Sequence, residues 1–127
     1  MQSTAFGLYL RHLREQRGLS LRELGQLCAI DHAYIHRLEK GEKTAPSAEV
    51  LEKLTRVLKA SPRDSQILLL LAKSTDIPTD FAEGAIDDPS VSPDEFSVAT
   101  SMAFRSKTRA DVKILFKRAR KFLDEDV

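Results

Sequence analysis

Four side chains able to do chemistry recur at helical spacing in the stretch LSLRELGQLCAIDHAYIHRLEKG, residues 19–41: His32, His36, Arg37 and Lys40, with Ala33 among them. Imidazoles donate or accept hydrogen bonds, while guanidinium and ammonium groups only donate. A short, well-anchored helix with such a polar outer face is what a DNA major groove accepts. His32 and His36 also stand at the i, i+4 spacing of a zinc helix. The glutamate that a metalloprotease carries after its first histidine is missing, and His12 is the only other histidine. No metal and no cofactor are therefore expected. The five glycines are scattered rather than gathered into a phosphate loop, and no Ser/His/Asp order or paired-cysteine site occurs. The chain does not read as an enzyme.

The flanking residues explain how such a helix would be held. Ser20 and Glu23 have capping-box spacing, in which each serves an orphaned backbone N–H. Leu21, Leu24, Leu27 and Cys28 then fall on one helical face. Ala29-Ile30 makes a corner, Asp31 caps the next helix, Ile35 and Leu38 point inward, and Gly41 supplies a left-handed stop. Before this pair, Ala5 to Arg17 repeats apolar residues at helical spacing up to Gly18. After it, Ser47 caps a helix with Val50, Leu51, Leu54, Val57 and Leu58 inward. Ser61-Pro62 opens a fifth helix that continues from Gln66 to Lys73. Its run Ile67–Leu71 is apolar all round and needs cover on more than one side, from the tail or from a second subunit.

Composition shifts near Ser74, which divides the chain into residues 1–73 and 74–127. In the second part, Ile77 to Asp80 starts a short helix that Asp87-Asp88-Pro89 ends. Ser92-Pro93-Asp94-Glu95 repeats the capping box and predicts a helix to about Phe104. Thr108 to Asp111 repeats the spacing before a last helix with Val112, Leu115, Phe116, Ala119, Phe122 and Leu123 on one face. No strand is needed, so the fold class is all-α. Net charge is only +1, but it is unevenly spread. Residues 1–73 hold twelve Lys/Arg against eight Asp/Glu, residues 74–104 seven acids and no base, and residues 105–123 eight bases and one acid. No apolar run approaches the roughly 20 residues that span a bilayer. The N-terminus has its basic residues after its apolar ones, the reverse of a signal peptide. The single cysteine fits a reducing, cytoplasmic setting.

From Phe6 to Ala60 the chain resembles the lambda-repressor/Cro-like (XRE) helix-turn-helix family. The landmarks are Leu13-Arg14, Arg17-Gly18-Leu19-Ser20, Glu23-Leu24, Ile30, Ile35, Leu38-Glu39-Lys40-Gly41 and Pro46-Ser47. The resemblance implies a five-helix DNA-binding domain with base readers at His32, Ala33, His36 and Arg37. Of these, Arg37 suits a bidentate contact to guanine, and Ala33 offers only an apolar contact. Tyr34, Lys40 and Lys43 become phosphate contacts, and Arg14 with Glu39 a structural ion pair. Three positions depart from the family pattern. Leu21 replaces a glutamine that touches DNA backbone, Gly25 replaces an alanine, and Ala29 replaces the glycine of the turn.

The tail resembles, more loosely, the C-terminal region of stress-response and mobile-element repressors, through Ile77-Pro78, Phe81-Ala82-Glu83, Asp88-Pro89 and Ala103-Phe104-Arg105. This implies a homodimeric transcriptional repressor of a palindromic operator, with Leu115, Phe116, Phe122 and Leu123 as dimerisation anchors. It also implies inactivation by a partner zinc metallopeptidase cutting near Ala99–Arg105. The alternative is an antitoxin or adaptor whose tail binds a toxin or another protein, motivated by the acidic segment 76–95.

Overall fold

Most helices of this chain begin where the sequence supplies a side-chain oxygen. Residues 4–106 and 109–125 are described by a computed structural model, with eight α-helices and no strand among them. They are α1 (Ala5–Gln16), α2 (Leu21–Cys28), α3 (His32–Lys40), α4 (Ala48–Leu58), α5 (Pro62–Lys73), α6 (Thr79–Asp87), α7 (Pro93–Arg105) and α8 (Val112–Glu125). Thr4, Ser20, Asp31, Ser47, Ser61 and Ser92 each accept a hydrogen bond from a first-turn N–H of the helix they precede. Such caps satisfy donors that have no partner within the helix. Both capping boxes, Ser20–Glu23 and Ser92–Glu95, are closed in both directions. At α8 the cap is Asp111, whose carboxylate accepts from the Lys113 N–H at 2.8 Å. The expected first member of that cap, Thr108, lies outside the described residues, as do Lys107 and Asp126.

Helix α1 is the element the others gather on, packing against α3, α5 and α6. Its Phe6, Tyr9, Leu10 and Leu13 are buried in one hydrophobic core that also takes in Leu24, Ile35, Leu38, Leu54, Leu68, Phe81 and Phe96. This core runs without a break across the composition shift at Ser74. Helix α5 shows why. Ile67, Leu68 and Leu71 are buried between α1 and α7, so the tail supplies much of the second cover that its apolar run requires.

Gly7 sets the α1–α3 crossing. A Cβ there would stand 2.4 Å from the Glu39 carbonyl oxygen and 2.5 Å from that of Leu38. Only a residue without a side chain lets these backbones approach so closely.

The tail folds on itself around Phe81, Phe96 and Phe116. Their ring centroids are 6.1–6.2 Å apart, with Phe81 edge-on to both others, a favoured geometry for aromatic pairs. Gly84 admits α8 onto α6, since a Cβ there would meet Val112 and Phe116 side chains below 3 Å. Arg120 of α8 clasps Glu95 of α7 at 2.8 Å and holds that carboxyl below its ordinary range. Arg109 pairs with Asp80 and lies 5.4 Å from the Phe81 ring centre.

Arg63 joins the two halves. From the first turn of α5 it donates to the carbonyls of Ala85 (2.7 Å), Asp88 (3.0 Å) and Val91 (2.9 Å). Its remaining nitrogen reaches Asp64 and the Tyr9 hydroxyl, which donates to Asp64 at 2.6 Å. Burial, then this hydrogen bond, push the Tyr9 phenol well above its ordinary pKa.

Three expectations need revision. Leu27 is 61% exposed. The buried face of α2 passes through Leu24, Gly25 and Cys28 instead, because Gly25 is the point of closest approach to α3. Leu115 and Phe116, expected to anchor a second copy, are 3% and 4% exposed within the chain's own core. Phe122 is 53% exposed and Leu123 half-buried. The stretch Ala99–Arg105, expected as a cleavage region, is the C-terminal half of α7, with Ala99 and Thr100 buried.

Candidate nucleic-acid interface

The turn between α2 and α3 is closed by backbone groups alone. The Ile30 N–H donates to the Gly25 carbonyl at 2.9 Å and the Ala29 N–H to that of Gln26. Ala29 itself takes the left-handed conformation, φ 57°, where glycine is the unstrained residue. A Cβ on Gly25 would stand 2.7 Å from the Ile30 carbonyl oxygen and 3.1 Å from the His32 Cβ. The glycine that replaces the family's alanine therefore brings the start of α3 close against α2.

Asp31 then caps α3 by accepting from the Ala33 N–H at 3.0 Å. At the other end Gly41 takes φ 77°, and the Glu42 N–H returns to the Arg37 carbonyl. Ile35, Leu38 and Glu39 are buried. Glu39 is held by Arg14 through two parallel bonds, Nε to Oε2 at 2.7 Å and Nη2 to Oε1 at 2.9 Å. The third nitrogen of Arg14 ties down the Leu19 carbonyl at 2.8 Å. The hydrogen bond to Glu39 raises the guanidinium pKa further above its ordinary value. A two-pronged Arg–carboxylate pair fixes orientation as well as distance.

With its back and both ends fixed, α3 presents one polar face. His32, His36, Arg37 and Lys40 are exposed, and Ala33 lies half-buried among them. None of Arg37, Lys40 or His36 has an ion-pair partner among the described residues, so their hydrogen-bonding capacity is open to solvent. Tyr34 is half-buried against the core, with its ring used in packing. Lys43 is exposed in the loop after Gly41.

Two further residues belong to this face, though sequence spacing within α3 did not point to them. Arg22 and Gln26 of α2 are exposed, and with His32 and Asp31 they line one shallow hollow at the corner. They add a cation and an amide beside the start of α3. Leu21, by contrast, is half-buried against the core and offers no polar group. Cys28 takes no part; burial raises its thiol pKa and keeps it protonated.

Residues 5–66 match the model of a family described as a helix-turn-helix domain. Over 55 residues the chain is 36% identical to the HTH-type transcriptional repressor RghR of Bacillus subtilis (strain 168). That alignment covers 43% of this chain and 41% of the relative, so the chain spans less than half the length of the curated protein it matches. The family match ends within α5, and the tail lies beyond it. The capped helix pair, the locked third helix and these matches converge on one assignment: residues 5–66 are a helix-turn-helix DNA-binding domain.

Proposed function

We propose that this chain is a sequence-specific transcriptional repressor that binds a palindromic operator as a homodimer. The observation that carries the reading is the exposed face of α3, His32–Ala33–His36–Arg37, on a helix whose back is fixed by Arg14, Glu39 and Gly7. A rigid helix delivers side chains to base edges at little entropic cost. Arg37 reads guanine through its O6 and N7, the histidines donate or accept at neighbouring bases, and Ala33 allows a thymine methyl. Lys40, Lys43 and the Tyr34 hydroxyl contact phosphates, which position the domain without reading sequence. The name of the Bacillus subtilis relative agrees with a repressor role. One head makes too few base contacts for tight binding, so two copies on half-sites about 34 Å apart are required.

The test is selection of bound DNA from a random pool, followed by mobility shifts on the selected sequence. Arg37→Ala is expected to lose about 1–3 kcal/mol and to relax one base position per half-site. Lys43→Ala is expected to weaken all sequences alike and to flatten the salt dependence. Retention of full affinity and sequence preference by Arg37→Ala would overturn the assignment of α3 as reader.

A second reading, a tail that binds a partner protein such as a toxin or a metallopeptidase, draws on the exposed Phe104, Ile114 and Phe122. A peptidase needs extended chain, whereas 93–105 is helical. Cleavage in this reading therefore falls at the exposed end of α7, at Phe104–Ser106, after local unwinding. Incubation with the cognate peptidase and mass analysis of the fragments checks it, and an uncut chain speaks against it.

A further inference from the structure

Helix α8 carries a cationic stripe that its own chain leaves almost unmatched. Lys113, Lys117 and Lys121 follow one another at i, i+4 and i+8, about 6 Å apart along the axis, with Arg118 beside them. All four are exposed. The other tail arginines described with contacts are neutralised, Arg109 by Asp80 and Arg120 by Glu95. Among the described residues, Lys113, Lys117 and Arg118 have no ion-pair partner, and Lys121 reaches only Glu125 at 3.9 Å. On the same helix Ile114 and Phe122 are 46% and 53% exposed.

An acidic rim stands directly beside this stripe. Asp87 and Asp88, at the end of α6, share with Lys113, Lys117 and Arg120 a groove of about 240 Å³ that Gly84 and Phe116 also line. Glu83, one turn before Asp87, is exposed as well. Asp88 accepts from the Ser90 N–H and hydroxyl. Asp87 and Glu83 have no ion-pair partner among the described residues. Charges of opposite sign thus border one groove without closing into pairs across it.

The sign pattern decides which partner fits. Two α8 helices meeting about a two-fold axis would set lysine against lysine, an arrangement that opposes association. Nucleic acid would satisfy the cations but would meet Glu83 and Asp87 at the border. A second copy of this chain satisfies both signs. When a two-fold axis runs through the groove, the stripe of one protomer faces the acidic rim of the other, and the reverse contact forms at the same time, as an isologous interface requires. We infer that this face joins two copies of the chain, the α8 stripe of each protomer lying on the Glu83–Asp87–Asp88 rim of its partner. The inference rests on the homodimeric reading above. It moves the interface from the apolar face of α8, consumed inside the chain, to its outer face.

A charge swap tests it, read by analytical ultracentrifugation of the full chain, with circular dichroism confirming that each variant is folded. One variant carries Lys113→Glu, Lys117→Glu and Lys121→Glu; the other carries Glu83→Lys and Asp87→Lys. Each alone is expected to weaken the dimer at least tenfold. An equal mixture is expected to recover it, because an all-acidic face complements an all-basic one. The wild-type dimer is expected to weaken with added salt. A wild-type dimer that survives both variants overturns the surface and leaves the homodimeric reading standing. A wild type that is monomeric both free and on operator DNA overturns both. Variants that bind DNA more weakly with the dimer intact overturn the inference in favour of a phosphate-binding stripe.

Discussion

Head and tail share one core but are held by different means, and the difference determines what each shows to the outside. In the head, α1–α5, helix α3 is fixed from behind by a glycine contact, a buried ion pair and two caps. None of these uses the outward face, so four polar side chains remain exposed there. In the tail, α6–α8, the bulky apolar residues meet one another: three phenyl rings fill the interior, and Leu115 and Phe116 are consumed there. What the tail offers outside is mainly charge. A region that spends its largest apolar cluster on its own core leaves Phe104, Ile114 and Phe122 exposed among charged side chains.

The comparison is tested most severely by Phe116→Ala. Removing a ring packed between two others is expected to cost about 3–5 kcal/mol. Both tyrosines, Tyr9 and Tyr34, lie in the head. Tyrosine fluorescence therefore reports the head and, through the Tyr9 contact with Arg63, its joint with the tail, while far-ultraviolet circular dichroism reports all the helices. With one continuous core, the two signals are expected to shift together to a lower midpoint. A tyrosine transition that stays at the wild-type temperature while the dichroism loses the tail would show two independent units.

Next in size is Arg14→Ala. Glu39, with only 4% of its side chain exposed, would be left buried without its partner. Stranding a buried charge costs about 3–5 kcal/mol, expected here near the lower end because Arg14 itself is 12% exposed. The matching loss should appear in DNA binding, because Glu39 lies at the end of the reading helix. Denaturant titration and a mobility shift on the same preparation check both. Loss of stability without loss of affinity would mean that α3 keeps its pose without this pair.

What could be read in advance follows the reach of each interaction. The two capping boxes, Asp31, Gly41 and the periodic faces of α1 and α4 depend on residues within one or two turns, and spacing alone displays them. The polar face of α3 was legible for the same reason. Gly7 was not, because its role depends on two carbonyls of α3 more than thirty residues away. Leu27 misled because helical spacing gives the relation between residues but not which side another helix will cover. Leu115 and Phe116 were correctly placed on an apolar face, but sequence could not say whether the same chain or another would bury it. Gly84, which admits Phe116, settles that point. Arg63 gave no signal at all, since its acceptors are main-chain carbonyls that any residue carries.

Arg63→Ala sharpens the comparison at the joint. It removes the donor for the carbonyls of Ala85, Asp88 and Val91 and leaves the Tyr9–Asp64 bond without its cation. The side chain is 22% exposed, so water reaches part of the site, and a loss of about 1–3 kcal/mol is expected. Amide exchange should quicken first across residues 85–91, with α3 unchanged. Equal quickening in α3 would show that the joint also steadies the reading helix.

The smallest effect has the opposite sign. Ala29 at φ 57° and Lys59 at φ 50° both occupy left-handed positions at helix ends. An L-residue there costs about 1–2 kcal/mol, while glycine adds back roughly 0.4–1 kcal/mol of chain entropy in the unfolded state. Ala29→Gly and Lys59→Gly are each expected to raise stability by about 0.5 kcal/mol, the difference between those two terms. Lys59 lies at the end of α4, away from the reading helix, and serves as the control. If Ala29 serves only to close the turn, Ala29→Gly will match the control in stability and leave operator affinity unchanged. If affinity falls while stability rises, the strain at the corner helps to set the angle at which α3 meets DNA. The head would then hold its reader by a strained turn as well as by packing, a device the tail shows nowhere among its described residues.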